Sequence, residues 1–326
     1  MCGIAYISKL TPENLDAFML LCYEMQDRGE DGFGFTDGSR VWRWDKTFTS
    51  MWKGTKSILE SLLGQDVSII AHTRAASVGA VSVDNSHPFR VIDPEDNTRT
   101  VIGVHNGGIS NYAALNTQYN RAFEVDSQHI FAHLAESKPT DDLNGYGTVV
   151  WNEIIQRRAL VKFDYFVKFN GGSISVAQYQ DVSDSNIIIL ASTEDPIVKV
   201  CEVMGVEPTF YNIKDEQRYE IKNGVLYIDG EMKFGQKFKA QNSHIQDRQI
   251  HSYEGTYEEY TYGSPYMGHY SGDTVYSSGQ TPGKQDRFTR GLCMLCSSSS
   301  ITKPQVVCQL CVDKAIKELP LLQWKA

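Results

Sequence analysis

Short segments rich in Val, Ile and aromatic residues recur through the first 230 residues, and they limit the fold more than any other feature of the chain. Residues 2–7, 41–44, 48–53, 67–73, 100–105, 160–169, 173–180 and 186–191 each have the β-branched and aromatic content of a strand. Helical spacing of apolar residues covers 12–23, where Leu15, Phe18, Met19 and Cys22 share a face, and also 55–63, 127–136 and 148–157. A hairpin closes the series, with Asn223-Gly224 turning between 218–221 and 225–228. Mixed elements with successive strands late in the domain favour an antiparallel, layered α+β core over a doubly wound parallel sheet.

This pattern stops near residue 240. From 241 to 290 the chain is rich in Tyr, Gly, Ser, Gln and His and poor in aliphatic residues, so it lacks the apolar surface to hold a fold and reads as a flexible linker. Its seven tyrosines, between Tyr253 and Tyr276, suit either a solvated spacer or docking points. The expected organisation is a folded domain at 1–240, a linker at 241–290 and a small module at 291–326. No run approaches the ~18 to 20 apolar residues that span a bilayer, and the first twenty residues lack a basic stretch followed by an apolar one. The expectation is a soluble, cytoplasmic protein without a membrane partner.

The last module carries its own motif. Cys293-Met294-Leu295-Cys296 and Cys308-Gln309-Leu310-Cys311 are two Cys-x2-Cys pairs, and four thiolates at this spacing form a closed tetrahedral cage suited to structural Zn²⁺. With a short helical pattern from 312 to 319, the module reads as a treble-clef or zinc-ribbon finger that needs the metal to fold. A redox role for the pairs fits less well, because no thioredoxin-like β-α-β pattern surrounds them. Charge is also segregated. Of the net −9, residues from 284 onward contribute +4, with seven Lys and Arg against three Asp and Glu, leaving −13 on the rest. The body should repel nucleic acid; the finger is open to contact with nucleic acid or with a partner protein.

Chemistry is concentrated near the other end. Cys2 follows Met1 directly, so removal of Met1 would place a thiol and a free α-amine on one residue. An α-amine titrates at roughly 7.7 to 8 and a thiol near 8.5. The amine therefore accepts the thiol proton near neutral pH, and no separate histidine is needed.

Four clusters follow Cys2: Arg28-Gly29-Glu30-Asp31-Gly32, Ala71-His72-Thr73-Arg74-Ala75-Ala76-Ser77, Asn85-Ser86-His87-Pro88, and Val104-His105-Asn106-Gly107-Gly108, with Asp126-Ser127 beyond. Over residues 2 to 230 this set resembles the class-II, N-terminal-nucleophile glutamine amidotransferases, such as the glutaminase domain of glucosamine-6-phosphate synthase. The resemblance implies a four-layer αββα sandwich and hydrolysis of the glutamine side-chain amide through a γ-glutamyl thioester on Cys2, without a cofactor. It also implies roles for individual residues. Asn106 and Gly107 correspond to the donor pair that holds the oxyanion, each donor worth roughly 2.7 to 4 kcal/mol. Arg74 corresponds to the partner of the substrate carboxylate, Asp126 to that of its ammonium, and Ser77 to a substrate-binding hydroxyl. Both substrate charges need such partners, since an unpaired buried charge is costly.

Arg28, Asp31 and His87 correspond to supporting residues, and His72, His87 and His105 read as hydrogen-bonded structural histidines. In the family an aromatic residue often follows the arginine; here it is Ala75. The roughly 85 residues after the domain are too few for a synthase domain, so the expected acceptor of ammonia is a synthase on another chain. Two other readings stay open: hydrolysis of a different amide, and a binding or assembly protein that works through its zinc finger.

Overall fold

A computed structural model describes residues 1–236. The strands are β1 (Gly3–Ile7), β2 (Gly32–Thr36), β3 (Val41–Trp44), β4 (Ile69–Arg74), β5 (Phe89–Ile92), β6 (Arg99–Ile109), β7 (Gly145–Gln156), β8 (Leu160–Phe169), β9 (Ser175–Gln180), β10 (Asn186–Ala191), β11 (Thr209–Phe210), β12 (Gln217–Lys222) and β13 (Val225–Glu231). The helices are α1 (Leu15–Gln26), α2 (Phe48–Leu62), α3 (Tyr112–Gln118), α4 (Gln128–Ala135) and α5 (Asp195–Met204). The expected linker and zinc-finger cysteines lie outside the described residues.

The strands form two antiparallel sheets. One runs β11-β9-β10-β1-β4-β2-β3, and the other β13-β12-β8-β7-β6-β5. Side-chain alternation along each strand sorts the apolar residues into three buried clusters. Ala5, Ile7, Ile69 and Ala71 point to one face of the first sheet, against Phe18, Leu21 and Met25 of α1, Leu59 and Leu62 of α2, and Val200 of α5. Ile4, Tyr6, Ile70 and Leu190 point to its other face and meet Val104, Val150 and Phe166 of the second sheet. Val101, Val149 and Trp151 face outward from the second sheet onto Ile130, Phe131 and Leu134 of α4. The layers therefore run helix, sheet, sheet, helix. Burying a large aliphatic or aromatic side chain contributes roughly 1.5 to 3 kcal/mol, and each of the three clusters supplies a dozen or more such residues.

Two expected elements are of the other kind. The 48–53 segment is the first turn and a half of α2, not a strand: the Thr47 side chain accepts the Ser50 N–H at 3.2 Å as an N-cap. Phe48, Trp52, Thr55, Leu59 and Leu62 then fall on one buried helical stripe. The 148–157 segment is not a helix but most of β7, paired on both sides with β6 and β8. Sheet on one face and helix on the other bury Val149, Val150 and Trp151 alike, which erases the alternation that marks a half-exposed strand. Helix α1 starts three residues later than its apolar spacing implies, because the Asn14 side chain accepts the Thr11 N–H and closes a turn over Pro12.

Candidate functional site

β1 is an inner strand of its sheet, flanked by β10 and β4. Gly3 pairs with Thr73 and Ile4 with His72, so the same register carries Cys2 toward Arg74 at the end of β4. Alternation places Cys2 on the side of Ile4 and Tyr6, between the sheets. Asn106 on β6 shares a face with Val104, which also points between the sheets, so it approaches the same end of the sandwich from the opposite layer. β6 runs on through Asn106-Gly107 to Ile109, paired with β7 in unbroken register.

The thiol of Cys2 is held by one backbone unit. The Ala75 N–H donates to Sγ at 3.4 Å, and Sγ lies 3.6 Å from the Ala75 carbonyl. Arg28 fixes the main chain at the same residue, its Nε donating to the Cys2 carbonyl at 2.9 Å. Asp31 holds the loop beyond β4 by accepting the Ala76 N–H at 2.8 Å. Burial pushes the Cys2 thiol above its usual pKa, while the Ala75 N–H, the terminal ammonium and Arg74 pull it down and Asp126 pushes it up. The net rise leaves the thiol protonated near neutral pH, so a nucleophilic thiolate here needs a base.

Arg74 is buried, and its guanidinium donates to the carbonyls of Ala80 at 2.8 Å, Val78 at 3.0 Å and Gly79 at 3.4 Å. The fork thus folds the 78–80 loop over itself, leaving Nε–H and the second Nη1 hydrogen outside these three bonds. Asp126 is also buried; one carboxylate oxygen accepts the Ile109 N–H at 2.6 Å. A cavity of about 280 Å³ joins Ser77, Gly107 and Asp126, with Val78, Tyr112 and Tyr146 also in its wall. Gly107 is obligatory there, since a Cβ would lie 2.0 Å from the Tyr146 carbonyl and 2.6 Å from the Cα of Gly147.

Three histidines pack beside this floor. His72 Nε2 lies 3.1 Å from the His105 carbonyl, His105 Nδ1 lies 2.9 Å from Ser127 Oγ, and the ring centroids of His72 and His87 lie 4.2 Å apart with their planes tilted by 45°. Burial holds His72 neutral, its pKa lowered to about 3, and also lowers His87 and His105. The expectation that all three are hydrogen-bonded fails at His87: neither ring nitrogen has a protein partner, because the ring is wedged among His72, Phe89 and Phe131. A cavity of about 400 Å³ opens past the other end of β1, lined by Tyr6, Lys9, Lys162 and Asp164, and none of the expected site residues reaches it. Among the described residues, no group of three or more His, Cys, Asp or Glu is placed to hold a metal ion, and no helix is long and apolar enough to cross a membrane.

Residues 25–142 match the family model "glutamine amidotransferases class-II". That segment is similar to a class-II glutamine amidotransferase domain. Arg28, Asp31, Arg74, Ser77, His87, Asn106, Gly107 and Asp126 fall inside the matched span, and Cys2 lies before it. The chain is 32% identical over 127 residues to a glutamine–fructose-6-phosphate aminotransferase (isomerizing) of Haemophilus ducreyi, covering 32% of this chain and 20% of that enzyme.

Among solved structures, a glutamine phosphoribosylpyrophosphate amidotransferase from B. subtilis aligns at 15% identity and TM-score 0.46, over 70% of this chain and 49% of that one. A glutamine aminotransferase class-II domain protein from Silicibacter pomeroyi aligns at 10% identity and TM-score 0.38, over 71% of this chain and 100% of that one. The chain thus spans a fifth of its H. ducreyi relative and about half of the B. subtilis structure.

The domain contains a contact residue that no motif announces. Ser192, directly after β10, accepts the Asn106 side-chain N–H at 3.1 Å and the Ile4 N–H at 2.9 Å. Its only trace in the sequence is a polar residue closing an otherwise aliphatic strand. The backbone of Ala75 is likewise invisible to motif reading, because its contribution does not depend on its side chain.

Proposed function

We propose that this domain hydrolyses the side-chain amide of L-glutamine to glutamate and ammonia. With the α-amine of Cys2 freed, that amine takes the thiol proton and Sγ attacks the amide carbon. The collapsing tetrahedral intermediate expels ammonia, which leaves with the proton, and water then cleaves the γ-glutamyl thioester to release glutamate and restore the thiol. One observation carries this reading: Cys2 and Arg74 from one sheet and Asn106 from the other meet at one end of the sandwich, next to a cavity that holds Ser77, Gly107 and Asp126.

The roles follow from what each group offers. The second N–H of the Asn106 amide and the backbone N–H of Gly107 would stabilise the oxyanion. The remaining N–H groups of Arg74 would pair the substrate carboxylate, with the Ser77 hydroxyl beside them and the Asp126 carboxylate pairing the ammonium. Arg28 and Asp31 support these groups through the Cys2 carbonyl and the Ala76 N–H. His87 supports them by packing alone.

The test is release of glutamate from glutamine by the wild-type chain and by Cys2→Ala, together with intact mass after 6-diazo-5-oxo-L-norleucine. The expected result is turnover that disappears in Cys2→Ala and a single adduct on Cys2. Turnover that survives Cys2→Ala refutes the nucleophile. Preference for asparagine or an acylated amino acid moves the reading to another amide, and no turnover at all moves it to a binding protein.

The finer assignments follow the same reading. The ammonia acceptor is a synthase on a separate polypeptide, recruited through residues 291–326; copurification with and without that segment checks it. Cys293, Cys296, Cys308 and Cys311 hold one structural Zn²⁺, which metal analysis of wild type and of the four-serine variant checks. Glutamine hydrolysis itself calls on no cofactor.

A further inference from the structure

The Ser192 hydroxyl joins the two halves of the candidate site. It is fully buried, and its Oγ accepts one N–H from each sheet: the backbone N–H of Ile4, two residues from the nucleophile, at 2.9 Å, and the Nδ2 of Asn106 at 3.1 Å. Its own backbone is pinned as well. The Ser192 N–H donates to the Ile4 carbonyl at 3.2 Å, and the Ser173 hydroxyl donates to the Ser192 carbonyl at 2.6 Å. The hydroxyl therefore sits at a fixed place relative to β1, and it fixes the amide of Asn106 relative to the same strand.

A carboxamide turns about a broad, nearly two-fold torsion, so backbone position alone does not decide whether Asn106 offers N–H or oxygen to the cavity. A bond from one N–H to Ser192 leaves the second N–H free to point elsewhere. If the amide flipped, its oxygen would face the developing negative charge instead.

We infer that Ser192 is a positioning residue for amide hydrolysis, orienting the Asn106 carboxamide as an oxyanion donor relative to the Cys2 strand. This rests on the proposed glutaminase reading. It goes beyond that reading by naming the residue that registers donor against nucleophile across the two sheets.

A double-mutant cycle on the full chain tests it, using glutamine turnover, iodoacetamide alkylation of Cys2 and thermal melting. Removing an oxyanion donor lowers kcat by about 10²- to 10³-fold, so Asn106→Ala should fall in that range. Ser192→Ala should lower kcat about 10- to 100-fold, with KM within about 3-fold and Cys2 alkylation little changed. The double variant should be no slower than Asn106→Ala alone, because residues that act through one another are not additive. Ser192→Cys fills the same space with a weak acceptor and guards against a misfolded alanine variant; about a 10-fold loss in kcat is expected.

Additive losses would make Ser192 a merely structural residue and overturn the inference. So would a Ser192→Cys protein with kcat within 2-fold of wild type. A wild-type chain without glutaminase turnover would instead overturn the underlying functional reading, and the inference with it.

Discussion

Replacing Asp126 by asparagine separates charge from shape at the candidate site. The carboxylate is buried, accepts the Ile109 N–H at 2.6 Å and lines the cavity shared with Ser77 and Gly107. Asparagine is isosteric and its carbonyl oxygen can keep the Ile109 bond, so β6 stays supported while the negative charge is lost. A hydrogen bond to a charged group is worth about 1.5 to 3 kcal/mol. At 1.36 kcal/mol per factor of ten, kcat/KM for glutamine should fall about 10- to 150-fold.

The control is 4-carbamoylbutanoate, which is glutamine without its α-ammonium. Its kcat/KM should be nearly unchanged by Asp126→Asn, so that discrimination between the two substrates collapses in the variant. A second readout is independent of turnover. The Asp126 carboxylate is among the groups that raise the Cys2 pKa; neutralising it should move the pH midpoint of Cys2 alkylation downward. Equal losses for both substrates, or less than about a 3-fold loss for glutamine, would refute the ammonium-pairing role.

Four further outcomes follow. Gly107→Ala forces a Cβ to 2.0 Å from the Tyr146 carbonyl, so β6 and β7 must part; thermal melting should show a loss of about 3 kcal/mol. Gly54→Ala, in α2 with no atom nearer than 4.0 Å, should gain about 0.5 to 1 kcal/mol. His72 stays neutral in the fold down to pH about 3 but takes a proton near 6.5 when unfolded. Its contribution is complete above pH 6.5 and is lost as pH falls toward 3, costing about 2 kcal/mol by pH 5 in chemical denaturation; a flat profile between 7.5 and 5 would contradict it. An uncleaved peptide ahead of Cys2 should lower glutamine turnover at least about 100-fold while Cys2 still alkylates, because it removes the α-amine base. Equal turnover before and after cleavage to expose Cys2 would rule that base out.

The sequence discloses those parts of the structure whose chemistry is local. Cys2, Arg74, Asn106, Gly107 and Asp126 stand in short clusters of residue types that suit amide hydrolysis, and the strands 41–44, 160–169 and 186–191 announce themselves by composition. What escapes depends on which faces are buried. Trp151 and Val150 lie on opposite faces of β7, one toward α4 and the other toward the first sheet, so the strand lacks alternation and its apolar spacing imitates a helix. Phe48 and Trp52 have strand-like aromatic content, yet the Thr47 cap and four-residue spacing make them one helical face. His87 reads as a hydrogen-bonded histidine and turns out to be a packing residue, because only the assembled fold sets Phe89 and Phe131 against its ring.

The position of Cys2 shows how the fold turns a two-residue spacing into chemistry. Along β1, Ala5 and Ile7 point to the helices while Ile4 and Tyr6 point to the second sheet, so a residue two before Ile4 must also face the second sheet. Gly3, on the helix side, is where the last turn of α1 closes in: a Cβ there would lie 2.6 Å from the Met25 carbonyl and 2.5 Å from Thr73 Oγ1. Only glycine lets α1 seat against the start of β1, and that seating holds the strand through the point where Cys2 meets Ala75. A one-residue slip of β1 against β4 and β10 would turn Cys2 toward α1, away from Asn106 and the cavity. Met-Cys-Gly-Ile therefore encodes more than a cysteine near a chain start. It sets the proposed nucleophile, the close approach that fixes its strand, and the first core residue in the one order that points the thiol between the sheets.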